Sequence, residues 1–260
     1  MTRFHRYVAL GDSTTEGLND AVGPDTYRGW ANRLAEHLAA AGGPLEYSNL
    51  AVRGLTAKVI RATQLQPALA MQPDLCTVVA GVNDLLRPRF DAEVVGAEVQ
   101  AMLAALRAAG ATVLSFTMPD MGRVNPWARL LRGRLQALNQ RLRRACAETG
   151  SLLVELESNP VAQDPRLWDE DRLHANAVGH QRIAAALAQR LGLAGFDQAW
   201  SAPLPAVPSP TLGHRLAAEW RWSSAHFAPW ALRHLTGGSS SRDRRPKRPV
   251  LRPFPDDAAG

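Results

Sequence analysis

The chain has 260 residues, 46% hydrophobic and 21% charged, an ordinary globular composition that excludes extensive disorder. The strongest apolar run, Leu75 to Val82, is too short to cross a bilayer, and Tyr7–Leu10 is too short for the apolar region of a secretory signal. Two cysteines, Cys76 and Cys146, make neither a disulfide framework nor a Cys/His zinc pattern, so a cytoplasmic protein with no metal is expected.

The formal net charge of +6 invites a nucleic-acid reading, but the charge is unevenly placed. Residues 237–260 hold six basic residues (Arg242, Arg244, Arg245, Lys247, Arg248, Arg252) against three acidic ones, which is half of that excess. The body is only mildly basic and has no helix-turn-helix, RNA-recognition motif or aromatic-interleaved basic groove. No nucleic-acid partner is expected.

Along the chain, short apolar runs alternate with longer helical patterns. Strands are predicted at Tyr7–Leu10, Leu45–Asn49, Leu75–Ala80, Thr112–Phe116 and Ser151–Glu155. Helices are predicted between them at Tyr27–Ala41, Leu55–Met71, Ala92–Ala109 and Trp127–Thr149, and a last one at Ala177–Leu191. In the fourth helix Leu130, Leu131, Leu135, Leu138 and Leu142 fall on one stripe. Five strands alternating with helices predict a parallel sheet covered on both faces, a three-layer α/β/α sandwich filling residues 1–196. Pro203, Pro205, Pro208 and Pro210 then form an extended strap leading into an arm, 197–236. Leu212, Leu216 and Trp220, then Phe227, Trp230 and Leu235, suggest two short amphipathic helices there. From Gly237 the Gly/Ser/Arg/Pro composition reads as a disordered basic tail, 237–260. The aromatic arm, with Trp220, Trp222, Phe227 and Trp230, is read as folding back onto the main domain. The sharper alternative makes it a cover over the site or a weak peripheral membrane contact.

In a doubly wound sheet, ligands bind beyond the carboxyl ends of the strands. The residues predicted there are Asp12-Ser13 after the first strand, Gly54 after the second, Asn83-Asp84 after the third, and Asp171 with His174 beyond the fifth. These are the types that acyl transfer requires. A serine hydroxyl needs an adjacent base, and imidazole titrates in the right range to serve. A carboxylate on the far ring nitrogen fixes the tautomer and stabilises the imidazolium. Asp171 and His174, three apart, are expected to share one side of a helical turn. The Ser13 and Gly54 amides and the Asn83 side chain would supply an oxyanion hole. Each residue also has a plain reading: Ser13 as a helix cap, Asn83 as a turn former, Asp171 and His174 as a surface ion pair. His180 and both cysteines read as packing residues.

Gly-Asp-Ser near the start, a glycine after strand two, Gly-x-Asn-Asp, and Asp-x-x-His near the domain's end resemble the four blocks of the SGNH (GDSL) hydrolase family. The resemblance covers about seven-tenths of the chain, residues 7–192. It implies a flavodoxin-like sheet, no cofactor and no metal. It also implies Ser13 as nucleophile, Ser13, Gly54 and Asn83 as oxyanion donors, and Asp171 with His174 as the rest of a triad. The expected activity is cleavage of a carboxylic ester, whether lipid, acetylated sugar or small acyl ester, by a monomer. The alternatives are an O-acyltransferase on the same site, or a non-catalytic binding module. Thr14 stands where the family often has leucine, and Ala175 where it often has proline, which predicts a slightly looser loop. The absence of a Gly-x-Ser-x-Gly elbow disfavours the larger α/β-hydrolase superfamily. The segments Thr14–Thr26 and Met118–Trp127, with Met118, Met121 and Trp127, are expected to wall the acyl pocket.

Overall fold

β1 (Arg6–Gly11) is a run of apolar residues with Tyr7, Val8, Ala9 and Leu10 fully buried, the signature of a central parallel strand covered on both faces. A four-residue helix α1 (Ser13–Glu16) follows, then a small hairpin of β2 (Ala21–Gly23) and β3 (Thr26–Tyr27), then α2 (Gly29–Gly42). The chain continues through β4 (Leu45–Asn49), α3 (Ala57–Ala70), β5 (Leu75–Val79), the short α4 (Val82–Leu85), α5 (Ala92–Ala108) and β6 (Thr112–Phe116). It ends with α6 (Arg132–Thr149), β7 (Leu152–Val154), α7 (Ala177–Arg190) and β8 (Arg248–Phe254). This computed structural model describes residues 3–24, 26–207, 213, 219–220, 222–223 and 244–255. Leu212, Leu216, Phe227, Trp230 and Leu235, and with them the two helices expected in the arm, lie outside the described residues.

The sheet runs β7-β6-β5-β1-β4-β8, parallel except for β8. From β1 the chain crosses to β4 on one side and returns to β5 on the other. Right-handed crossovers therefore put α2 and α3 on opposite faces. α7 packs on α2, whereas α5 packs on both α3 and α6, which gives the three-layer sandwich. The core includes Trp30 of α2 edge-on to Phe116 of β6, ring centroids 5.6 Å apart, and Tyr7 stacked on Tyr47 at 5.1 Å. Cys76 and Cys146 are buried there as free thiols. No helix of the described residues is long and apolar enough to cross a membrane.

Two expectations are corrected. The sheet has six strands, because Arg248–Phe254, assigned by composition to a disordered tail, forms β8 along β4. Its Leu251 and Phe254 pack against the core, and Phe254 meets Tyr47 edge-on at 5.4 Å. Pro249 and Pro253 fit in it because an edge strand has one side that needs no N–H. The fourth helix also begins later than expected: Pro126–Leu131 is a 3₁₀ helix, and α6 starts at Arg132. The leucine stripe loses its first member, since Leu130 is 77% exposed, while Leu135, Leu138 and Leu142 are buried.

Candidate active site

The chain reverses its direction across the sheet between β1 and β5, and the loops after those two strands flank the resulting crevice. Asp12, directly after β1, caps α1 by accepting from the Thr14 amide at 3.1 Å. That fixes Ser13 as the first residue of the helix. α1 stops after one turn at Gly17, whose φ is +93°, and Gly17 lies against Gly29 at the start of α2 so closely that a Cβ on either would meet the other's backbone.

His174 lies within reach of that serine. Its Nε2 is 2.9 Å from Ser13 Oγ, and its Nδ1 is 2.7 Å from Asp171 Oδ2. The expected helical turn is absent from this loop. Asp171 Oδ1 instead accepts from the Leu173 and His174 amides at 2.9 and 3.0 Å, and Arg172 between them adopts φ +54°. Burial opposes charge on Asp171, but hydrogen bonds from the His174 ring and the two amides outweigh it and hold its pKa at about 2. The carboxylate therefore remains ionised opposite the imidazole across any working pH. Ala175, in place of the family's proline, does not leave the loop open. Ala175 bridges to Trp168, and Asn176 caps α7 through the Val178 and Gly179 amides while its own amide donates to the Arg166 and Trp168 carbonyls.

The expected oxyanion donors come from the loops after β1, β4 and β5. Gly54, with φ +80°, follows Arg53, whose backbone and guanidinium both bind Glu16 of α1. This pair links the loop carrying Gly54 to the helix carrying Ser13. Among the described residues, none accepts from the Ser13 or Gly54 backbone N–H. Asn83 sits in α4, tied down by Asp84, which accepts from the Ala57 amide at 2.9 Å. The Asn83 Nδ2 donates to Asp12 Oδ2 at 2.9 Å and to the Leu55 carbonyl at 3.0 Å. Burial raises the pKa of Asp12 to about 6.

Several positioning residues carried no sequence signal. Asn19, at φ +69°, donates to Asp171 Oδ2 at 2.8 Å, on the same oxygen as the imidazole. Arg53, bound to Glu16, is marked by nothing in the sequence except its place before Gly54. His180 is buried and joins two helices to the loop after α1: Nδ1 accepts from Trp30 N and Nε2 faces the Leu18 carbonyl, both at 3.1 Å. Of the expected pocket wall, Met118 is withdrawn into the core, where Asn139 clasps both its backbone groups at 2.8 Å. Trp127 is 48% exposed.

Fold and site together are those of a serine ester hydrolase. More narrowly, the family model of the GDSL-like lipase/acylhydrolase family matches residues 9–182, about two thirds of the chain, and the chain belongs to that family. Solved structures similar to it include LAE5, an alpha/beta hydrolase enzyme from the metagenome of Lake Arreo, Spain, at 22% identity and TM-score 0.60, covering 74% of this chain and 97% of that one. TesA matches at 23% identity and TM-score 0.59, covering 72% and 98%. Axe2, an acetylxylan esterase from Geobacillus stearothermophilus, matches at 18% identity and TM-score 0.60, covering 75% and 95%. No curated protein matches the sequence.

Proposed function

We propose that the chain hydrolyses carboxylic esters through an acyl-enzyme on Ser13, with His174 as base and then acid and Asp171 as the partner of the imidazole. The observation that carries this is the continuous chain Ser13 Oγ, His174 Nε2, His174 Nδ1, Asp171 Oδ2, with links of 2.9 and 2.7 Å. In the first step Oγ attacks the ester carbonyl as its proton passes to Nε2, and the alkoxide leaves as the alcohol by taking that proton. In the second step water, deprotonated by the same nitrogen, attacks the acyl carbon and releases the acid and Ser13. The oxyanion formed in each step is held by the Ser13 and Gly54 amides and by Asn83.

An esterase acting on small acyl groups such as acetyl is the reading best supported by the acetylxylan esterase among the similar structures, while lipid esters remain the competing class. The test is a panel of 4-nitrophenyl esters from acetyl to palmitoyl, with fluorophosphonate labelling alongside. Ser13→Ala should lose labelling and at least about 10³-fold of the turnover while keeping its folded spectrum. Turnover in that variant within tenfold of the parent retires the nucleophile assignment. A chain-length preference that rises toward palmitoyl replaces the small-acyl reading with a lipid one.

A further inference from the structure

The family match ends at residue 182, but the chain after it returns to the site. Trp222 is 5% exposed, whereas Trp220, two residues earlier, is 75% exposed, so of these two tryptophans it is Trp222 that is buried. It is buried against the turn that carries the acid and the base. Its indole N–H donates to the Asp171 carbonyl at 3.3 Å, and the Arg172 guanidinium lies 4.6 Å from the indole centroid. Arg172 Nη1 is bound in turn by both carboxylate oxygens of Glu219, at 2.8 and 2.9 Å. The Arg172 side chain thus contacts two residues of the C-terminal extension.

Besides the Asp171 Oδ1 bonds and the Ala175–Trp168 bridge, this brace adds side-chain contacts at the middle of the turn. Residues 171–174 belong to no helix or strand, and Arg172 is held at a positive φ that costs a non-glycine residue energy. A turn free to relax would carry Asp171 and His174 away together, and displacement of a reacting group by about 1 Å can cost on the order of 10² in rate.

We propose that Trp222, with Glu219, is a positioning residue of the hydrolytic site: the C-terminal extension clamps the 171–174 turn so that His174 stays aimed at Ser13. This rests on the assignment of Ser13, His174 and Asp171 made above. It gives the extension a part in the reaction although it touches no reacting atom.

The test measures kcat and KM for 4-nitrophenyl acetate per active site titrated by fluorophosphonate burst, so that unfolded molecules are not counted. Trp222→Ala is expected to lower kcat by about 10- to 100-fold with KM within about twofold. Trp222→Phe keeps an aromatic face under Arg172 without the N–H donor and should recover part of the loss. Glu219→Gln, an exposed change that leaves the core alone, should lower kcat by about two- to fivefold and keeps the question answerable if Trp222→Ala does not fold. Val207→Ala, an exposed change in the same extension, is the control and should match the parent. Unchanged kcat per titrated site in Trp222→Phe and Glu219→Gln overturns the proposal, whatever their melting temperatures, and so does an equal loss in Val207→Ala. Ser13→Ala run in parallel separates the two readings. Its inactivity with normal Trp222 variants removes the clamp alone, while its activity removes both.

Discussion

Both hydrogens of the Asn83 side-chain amide are committed in this structure, one to the Asp12 carboxylate and one to the Leu55 carbonyl. The pairing fixes which way the amide faces, because a flipped amide would turn its oxygen toward a buried carboxylate. On the proposed mechanism, an oxyanion forming beside Ser13 would take one of these hydrogens from Asp12 or Leu55. Removing the donor should cost the reaction rather than substrate binding. Asn83→Ala is expected to lower kcat about 10²- to 10³-fold with KM changed little, as steady-state kinetics on a short ester would show. A loss under tenfold would take Asn83 out of the oxyanion site. Ser13, Gly54 and Asn83 were legible because each follows a strand within a few residues and acyl transfer needs these chemical types, whereas Asp171 and His174, well past β7, were legible by type and by their three-residue spacing. Asn19, by contrast, sits 152 positions from the carboxylate it binds, and asparagines in turns are common, so nothing in the sequence linked the two.

His180 shows how an element-level contact becomes a dependence on pH. It stands in α7, accepts from the first turn of α2, and faces the carbonyl of Leu18 in the loop after α1. Burial lowers its pKa from 6.5 to about 4, so the native ring is neutral. Between those values the unfolded chain takes up a proton that the folded one does not. The stability linked to this residue is thus fully present above about pH 6.5 and is lost as pH falls toward 4, a difference of roughly 3 kcal/mol. His180→Gln can reproduce one acceptor and one donor without titrating. The stability gap between parent and variant, from urea denaturation, should shift against the parent by roughly 2–3 kcal/mol from pH 7.5 to 4.5. A gap that stays constant would show that His180 does not titrate with folding. The helices themselves were legible wherever apolar spacing was regular, as in α5 over Ala92–Ala108. Legibility failed where local chemistry overrode the period. At Pro126 the proline and the Asn125 side chain bonded to the Trp127 amide start a 3₁₀ turn, which rotates Leu130 away from the stripe.

At the scale of the whole molecule, β8 has the composition of a tail and the position of a strand. Prolines, arginines and the preceding serines gave a disordered reading, since no period-two apolar pattern survives Pro249 and Pro253. What places the strand is long-range: β4 would otherwise leave its backbone groups on an open edge, and β8 fills that edge with side chains that suit Tyr47. Arg248 donates to the Tyr47 and Pro253 carbonyls at 2.7 Å and lies over the Tyr47 ring at 5.6 Å. Just before the strand, Lys247 Nζ donates to the carbonyls of Glu16, Tyr27 and Arg28 at 2.7, 2.9 and 3.0 Å. One of these carbonyls ends the helix that begins at Ser13, so the same short segment extends the sheet and ties down the end of that helix. A chain ending at residue 243 loses both contacts. It should unfold at lower urea with a loss of roughly 3 kcal/mol, about the burial of a Leu and a Phe side chain in part, and should self-associate through the bared edge in light scattering. Lys247→Ala keeps the strand and loses only the three carbonyl contacts, so it should stay monodisperse with a loss of about 1 kcal/mol. If the shortened chain proves as stable and as monodisperse as the full one, β8 is an ornament on the sheet rather than its edge.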